Sequence, residues 1–298
     1  MGGPGAIRTN QKLAYFTAVI TIIIWSSAFA GTRYALGYYN PMSLMLLRFI
    51  VASSTLIVVG AVRRIRLPRR RDVPGFVVAG FVGLFVYMVF FNAGSVTVVS
   101  GVGSFIIASA PVFSTILSRI FLKEIIRPVS WVGVLISFCG LVVVMLSQVT
   151  EFSFNIGVLL MLGSAIATSG HNIFQRNFLR TYSALESTTY TVIVATVFML
   201  VFLPGAIREF PGAPLDVNLV VIYLGVFPAA LGYLSWGFAL SKADKTTHVT
   251  VFLYLVPFIA SLIAYLWLGE TFTLMSFLGG IVIISGMVLS NTPGKSKP

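Results

Sequence analysis

Apolar residues occur along this chain in long blocks that are separated by short polar segments. An α-helix needs about 20 mostly apolar residues to cross the hydrocarbon core of a bilayer, and the blocks have that length. The pattern predicts ten transmembrane helices, at residues 13–32, 41–62, 74–93, 100–122, 128–147, 155–175, 186–203, 218–239, 247–268 and 272–290. Because several connections are very short, we expect neighbouring helices to run antiparallel and to pack together.

The composition supports the same environment. Hydrophobic residues make up 57% of the 298 residues and charged residues only 9%, whereas a soluble domain has about 25% charged residues. The net charge is +12, and six arginines lie in the connection between the second and third blocks, at Arg63, Arg64, Arg66, Arg69, Arg70 and Arg71. Such a run is typical of a cytoplasmic loop. We therefore expect a lipid bilayer around the protein and no nucleic acid as a partner.

The distribution of Lys and Arg predicts the orientation. With the N-terminus inside, most of these residues fall in inner segments, and only Arg33 and Arg208 fall in outer ones. The positive-inside rule then places both termini in the cytoplasm of a multi-pass protein, in the inner (plasma) membrane if the cell is bacterial. The first block also imitates a cleavable signal peptide, since Ala28-Phe29-Ala30 ends it. We favour an uncleaved helix because this block has a counterpart in the second half.

An internal repeat relates the two halves of the chain. A shift of 146 residues superimposes Pro111 on Pro257, Glu124 on Glu270, Gly133 on Gly279 and Gly140 on Gly286. Each half contains five predicted spans, an odd number, so the halves must cross the membrane in opposite directions. The predicted architecture is an all-α membrane protein of two inverted repeats, at residues 1–147 and 148–298, which form one integrated transmembrane domain.

The motifs of this repeat resemble a known family. They run from Ala110-Pro111 to Leu122-Lys123-Glu124 and again from Val256-Pro257 to Leu268-Gly269-Glu270, each followed by glycines. The chain is similar in these motifs to the EamA-like, ten-helix members of the drug/metabolite transporter superfamily. It also resembles the YddG-type amino-acid exporters over its whole length, without a short signature. That resemblance implies export of aromatic and other neutral amino acids.

Several prolines and glycines lie inside predicted spans. Proline removes a backbone hydrogen bond and bends a helix, and such bends are tolerated in a membrane where they face a cavity. Static kinks would give the same pattern. Because the prolines recur at matched positions of the repeat, we predict gating hinges at Gly80, Gly83, Pro111, Pro228 and Pro257.

Polar side chains follow one face of three predicted spans. In lipid they would be costly, so we expect them to face the interior or a water-filled cavity. The predicted lining residues are Ser104 on the fourth span, Thr168, His171, Asn172 and Gln175 on the sixth, and Thr250 and Tyr254 on the ninth. The alternative for the small residues is close helix packing. His171 could carry a proton near neutral pH, or it could be a neutral, hydrogen-bonded histidine.

Aromatic residues and one arginine complete the predicted site. A pocket for an aromatic side chain would use Trp25, Tyr87, Phe91, Tyr233 and Trp236, with Asn92 at its polar end. Each of them taken alone could instead be structural. Arg48 lies about 10 Å along the second span. It could snorkel outward, or it could face the cavity and pair with a substrate carboxylate.

The sequence lacks the residue patterns of several classes of protein, and this limits the functions to consider. The eight acidic residues fall in loops or at span ends, and we find no phosphate-binding loop, metal-ligand cluster or nucleophile triad. We therefore expect no catalytic residue, no cofactor and no metal. Cys139, the one cysteine, is expected to be buried.

The predicted function is secondary transport of a small-molecule substrate, most simply a neutral or aromatic amino acid. It would use alternating access around a central uncharged cavity, and the chain would function as a monomer. The alternatives are another cargo (a nucleobase, a nucleotide sugar or a drug cation), an integral-membrane lipid enzyme, and a channel.

Overall fold

The computed structural model describes residues 4–110, 112–113, 116–117, 128–146, 155–242, 251–271 and 273–291, whose regular structure is helical throughout. The helices of the first half are α1 Pro4–Ala35, α2 Pro41–Arg63, α3 Val73–Val78, π1 Ala79–Val86, α4 Tyr87–Gly94, α5 Ser100–Ile107 and α6 Pro128–Leu146. Those of the second half are α7 Ile156–Phe178, α8 Ala184–Met199, α9 Leu203–Glu209, α10 Leu215–Leu224, π2 Gly225–Gly232, α11 Tyr233–Lys242, α12 Val256–Leu268 and α13 Leu274–Asn291. Short 3₁₀ segments cover Arg70–Asp72, Leu200–Phe202, Phe210–Gly212 and Val251–Leu255.

Among the residues that the structure describes, five helical segments are long and apolar enough to cross a membrane. They are Tyr15–Ala35, Pro41–Arg63, Arg70–Gly94, Ala184–Gly212 and Leu215–Ala239, and four further apolar helices are shorter. Large apolar side chains such as Leu135 and Leu266 cover the outside of the bundle, as lipid requires. Cys139 is exposed on this surface, so its predicted burial is wrong. Periodicity could not assign it, because α6 is apolar on all sides and lipid accepts a thiol as readily as the core does.

Local signals in the sequence set the helix ends. The Asn40 side chain accepts a hydrogen bond from the Met42 amide, and Pro41 occupies the first turn of α2. Asn155 caps α7 in the same way, through the Gly157 amide. Ser183 and Glu186 form a capping box at the start of α8. These caps satisfy amides that a helix start leaves without partners.

The third and eighth predicted spans each contain a π-helical segment at the same place in the repeat. π1 and π2 correspond residue for residue under the shift of 146, a spacing that also separates the bonded pair Ser137 and Ile283. Gly80 and Gly83 lie in π1, and Pro228 lies in π2. The predicted hinges therefore fall where the helical hydrogen-bond pattern changes. Segments of this kind are frequent at functional sites.

The fourth and ninth predicted spans are not continuous helices over the described residues. α5 ends at Ile107 with a turn at Ala108, and α12 begins at Val256 after a 3₁₀ segment. Pro257 therefore lies in the first turn of a helix, where its missing N–H costs no hydrogen bond. The prediction of a bend in mid-helix is wrong for Pro257. Pro111 lies outside the described residues.

Matched helices of the two halves contact each other through small residues. The Ser137 hydroxyl of α6 donates to the Ile283 carbonyl of α13 at 3.0 Å. A Cβ atom at Gly140 would lie 2.6 Å from the Ile283 nitrogen, and one at Gly286 would lie 2.5 Å from the Gly133 carbonyl oxygen. Only glycine allows so close an approach of the two backbones.

The remaining helices also pack mostly across the halves. α1 packs against α11 and α12, α2 against α8 and π2, and π1 against α7 and α8. The Ser53 and Thr196 hydroxyls, one from α2 and one from α8, lie 2.7 Å apart. The core is consequently shared between the halves, and the residues at their boundary form the interior of the molecule.

Candidate functional site

Trp25 lies at the centre of an aromatic cluster in this interior. Its ring centroid lies 5.6 Å from that of Tyr233 and 5.3 Å from that of Trp236. Its indole N–H donates to the carbonyl of Pro228, at 3.2 Å. The ring of His171 lies 6.0 Å from Tyr233. The cluster therefore joins α1, α7, π2 and α11.

Tyr87 and Phe91 lie beside this cluster on α4. Their rings are 5.9 Å apart, and Phe91 also contacts Phe29 at 5.4 Å. The Tyr87 carbonyl accepts a hydrogen bond from Ser164 at 3.2 Å. Tyr87 and Tyr233 are both half-buried.

Arg48 turns into the interior and does not snorkel. Its side chain is 2% exposed, and Nη1 donates to the Thr32 hydroxyl at 3.3 Å. Its Nε is buried without a partner. α2 packs against α4, the helix of Tyr87, and against π2, which directly precedes Tyr233. The alternative that Arg48 snorkels outward is therefore wrong. The sequence left both positions open because the arginine side chain is long enough for either.

The polar face of α7 is buried as predicted. His171 and Gln175 are buried and Thr168 is half-buried, while the side chain of Asn172 lies outside the described residues. Gln175 accepts a hydrogen bond from Ser187 at 3.2 Å. His171 packs directly on Gly83, where a Cβ atom would lie 2.7 Å from the His171 Cβ. Nδ1 of His171 is buried without a hydrogen-bond partner.

Two other predicted lining residues, Asn92 and Ser104, donate hydrogen bonds within their own helices, although Oδ1 of Asn92 has no partner. Asn92 is fully buried and donates to the Met88 carbonyl on its own helix. Ser104 is fully buried and donates to the Gly101 carbonyl at 2.6 Å. Tyr254 lies in the 3₁₀ segment before α12, so it does not share an α-helical face with Pro257. Thr250 lies outside the described residues.

The sequence analysis missed two serines, Ser26 and Ser169, whose hydroxyls bind backbone carbonyls at the helix breaks. The Ser26 hydroxyl of α1 donates to the Val256 carbonyl at 3.3 Å, and that of Ser169 on α7 donates to the Ala110 carbonyl at 2.7 Å. Each acceptor directly precedes a proline of the repeat and belongs to the opposite half. Ser26 and Ser169 are separated by 143 residues, as are Ser53 and Thr196. An alignment of the first span with the sixth at that shift could have found them.

One end of the bundle is closed by an ion pair. Arg33 at the end of α1 lies 3.5 Å from Glu270, which follows α12. Arg33 also donates to the Ser95 carbonyl at 2.7 Å, and Glu270 accepts from the Ser100 amide at 2.8 Å. These contacts tie α1, the connection between α4 and α5, and the end of α12 together. The positive-inside rule predicts this end to be the outer one.

The opposite end is held by loop contacts. The Tyr182 hydroxyl donates to the carboxylate of Asp72 and accepts from the Arg69 amide at 3.1 Å. Burial, reinforced by the hydrogen bond to Asp72, raises the pKa of Tyr182, so the hydroxyl remains a donor at neutral pH. The Arg66 amide donates to Glu186 at 3.3 Å. The arginine-rich loop is thereby fixed against the start of α8.

The interior combines aromatic faces, one guanidinium and several hydroxyls. This arrangement suits non-covalent binding of a small amphipathic solute. Among the described residues, no three His, Cys, Asp or Glu side chains gather as metal ligands. Helices of membrane-spanning length in matched halves around such an interior define a multi-pass membrane transporter.

The chain belongs to the EamA-like transporter family, whose model matches residues 12–146 and again residues 155–292. It is 34% identical over 269 residues to the uncharacterized transporter YdfC of Bacillus subtilis, which covers 90% of this chain and 87% of the relative. It is 33% identical over 278 residues to a probable terminal-alkyne amino-acid exporter of Streptantibioticus cattleyicolor, with 93% of each covered. A solved crystal structure with 18% sequence identity matches the fold with a TM-score of 0.65, over 93% of this chain and 95% of that one.

Proposed function

We propose that this transporter exports neutral and aromatic amino acids. The observation that carries the proposal is the interior cluster of Trp25, Tyr233, Trp236 and His171, whose rings lie 5.3 to 6.0 Å apart. Aromatic faces gain free energy by stacking on an aromatic or apolar side chain. The relative from Streptantibioticus cattleyicolor, named as a probable amino-acid exporter, supports an amino-acid cargo.

Alternating access is the proposed mechanism. The chain would cross the membrane ten times as two inverted repeats, with both termini in the cytoplasm and, in a bacterium, in the inner membrane. The matched π1 and π2 segments and the helix breaks at Ala108 and Val256 support two halves that exchange conformations. Because all interior helices belong to one chain, a monomer would suffice.

Flux into proteoliposomes tests the function. Purified protein is reconstituted, and uptake of phenylalanine, tryptophan, leucine, uracil, UDP-glucose and tetraphenylphosphonium is measured with and without a pH gradient. We expect saturable flux of the amino acids without a gradient. Flux of uracil, UDP-glucose or the cation alone would contradict the amino-acid assignment. Accumulation that requires a proton gradient would overturn uncoupled transport and make His171 the candidate proton carrier.

Loss of the Arg33–Glu270 pair is expected to open the predicted outer end. Ser104 is fully buried, one turn along α5 from the Ser100 amide that Glu270 binds. In a Cys139→Ser background, a cysteine introduced by Ser104→Cys should react slowly with a membrane-impermeant maleimide. Adding Glu270→Gln should increase the reaction rate severalfold, because a neutral amide holds Arg33 less strongly than a carboxylate does.

The matched control is Glu209→Gln. Glu209 accepts a hydrogen bond from the Asn40 amide at 2.9 Å and does not bridge α1 to α12. We expect it to leave the labelling rate unchanged. An equal rate in the Glu270→Gln and Glu209→Gln proteins would show that the ion pair does not hold this end closed.

A further inference from the structure

Arg48 is a buried cation for which the described residues provide no counter-ion. The side chain is 2% exposed, Nη1 donates to the Thr32 hydroxyl, and Nε has no partner. The described acidic side chains each bond elsewhere: Asp72 to Tyr182, Glu186 to Ser183, Glu209 to Asn40, Asp216 to Tyr34 and Glu270 to Arg33. A buried charge without a counter-ion is strongly unfavourable in a membrane. A transported anion would supply the missing charge.

The surroundings of Arg48 lead to the aromatic cluster. Arg48 is buried on α2, which packs against α4, the helix of Tyr87, and against π2, which directly precedes Tyr233. Tyr233 packs against Trp25 at 5.6 Å. A solute bound between these helices could therefore place an anionic group at Arg48 and an apolar side chain against the rings of Tyr233 and Trp25.

We propose that Arg48 binds the carboxylate of the transported solute and thereby determines the substrate class. A guanidinium forms two parallel hydrogen bonds to a carboxylate, and Nε with a neighbouring Nη is one such pair of donors. The proposal rests on the proposed export of amino acids through this interior. The substrate class is a carboxylate with an aromatic or apolar side chain. The described interior has no acidic group for an α-ammonium, so the carboxylate dominates recognition.

Ligand binding to the purified full chain tests the proposal. Trp131→Phe and Trp267→Phe remove the two surface indoles, 38% and 43% exposed, and leave Trp25 and Trp236 as fluorescent reporters. The ligands are phenylalanine, phenylalaninamide, 3-phenylpropionate and 2-phenylethylamine. We expect the two carboxylates to bind at least about tenfold more tightly than the amide and the amine, which lack the charge-assisted hydrogen bonds.

Substitutions at Arg48 distinguish recognition of the substrate carboxylate from a purely structural role of this side chain. Arg48→Gln should abolish the preference for carboxylates, and Arg48→Lys should keep part of it, because lysine has the charge without the planar pair of donors. Arg63→Gln, at the exposed end of the same helix, should change nothing. Transport of the same ligands in proteoliposomes should follow the same order.

The possible failures are distinct. If phenylalanine binds but the amide binds equally well, or if Arg48→Gln keeps the preference, the role of Arg48 is wrong and amino-acid export stands. If the wild-type protein neither binds nor transports any amino acid, the proposed function fails and this inference fails with it. Should Arg48→Gln not fold, as judged by size-exclusion chromatography, the wild-type ratio of acid to amide binding and the Arg48→Lys protein decide.

Discussion

Replacing Gly286 by alanine is expected to destabilise the protein more than any other single methyl group added to its helices. The new Cβ atom would lie 2.5 Å from the Gly133 carbonyl oxygen and 2.5 Å from the Ser137 nitrogen. Both are backbone atoms, so no side-chain rotation can relieve the overlap, and α6 and α13 must separate. Overpacking of this kind costs about 1–3 kcal/mol, and we expect the upper end of that range. The midpoint of thermal unfolding in detergent measures the effect.

Gly170→Ala is the matched control, because a Cβ atom at Gly170 on α7 meets no atom within 4 Å. An alanine there should be neutral or stabilising by up to about 1 kcal/mol, since glycine in a helix loses more backbone entropy on folding. Equal unfolding midpoints for the Gly286→Ala and Gly170→Ala proteins would contradict the close approach of α6 and α13.

Trp25→Ala should produce the largest loss of transport among the aromatic substitutions. Trp25 contacts both Tyr233 and Trp236 and donates to the Pro228 carbonyl in π2. A substrate ring stacked on the Trp25 indole would contribute about 0.5–1.5 kcal/mol of binding free energy, and the hydrogen bond that positions the indole about 1 kcal/mol. The apparent affinity for tryptophan should therefore fall at least about tenfold. Flux into proteoliposomes over a range of tryptophan concentrations measures it.

Two variants complete this test. Trp25→Phe keeps a ring but not the N–H, so it should recover part of the affinity. Trp131→Ala removes an indole that is 38% exposed on α6, and it should transport at the wild-type rate. If Trp25→Ala also transports normally, the cluster is structural packing and another part of the interior binds the substrate.

Helix type and membrane class could be predicted from the chain because they depend on local composition. Long apolar blocks have few other stable states in lipid, where each backbone group needs an internal partner. Caps such as Asn40 and Ser183 act on amides two or three residues away, so the helix starts near them were close to the prediction. The repeat also predicted which helices match, and Ser137 and Ile283 of α6 and α13 contact each other at the predicted spacing.

The inward placement of several predicted site residues follows from a physical rule. Large aromatic rings and costly polar groups avoid lipid, so their presence in a span predicts that they face inward, as Trp25, His171 and Tyr233 do. Which inward residues touch depends on helix rotation and crossing, and these are set by packing between distant parts of the chain. Ser104 and Asn92 accordingly bond within their own helices, although their spacing resembled that of lining residues.

The sequence by itself determined the membrane class, the repeat and the list of residues that avoid lipid, because each follows from local composition or from comparison of the chain with itself. Only the tertiary structure decided that Arg48 turns inward, that Ser26 and Ser169 bind carbonyls of the opposite half, and that Pro257 starts a helix. The two serine contacts join residues 230 and 59 positions apart. No window of the sequence contains both partners of such contacts, so only the packed helices select among the positions that each side chain can reach.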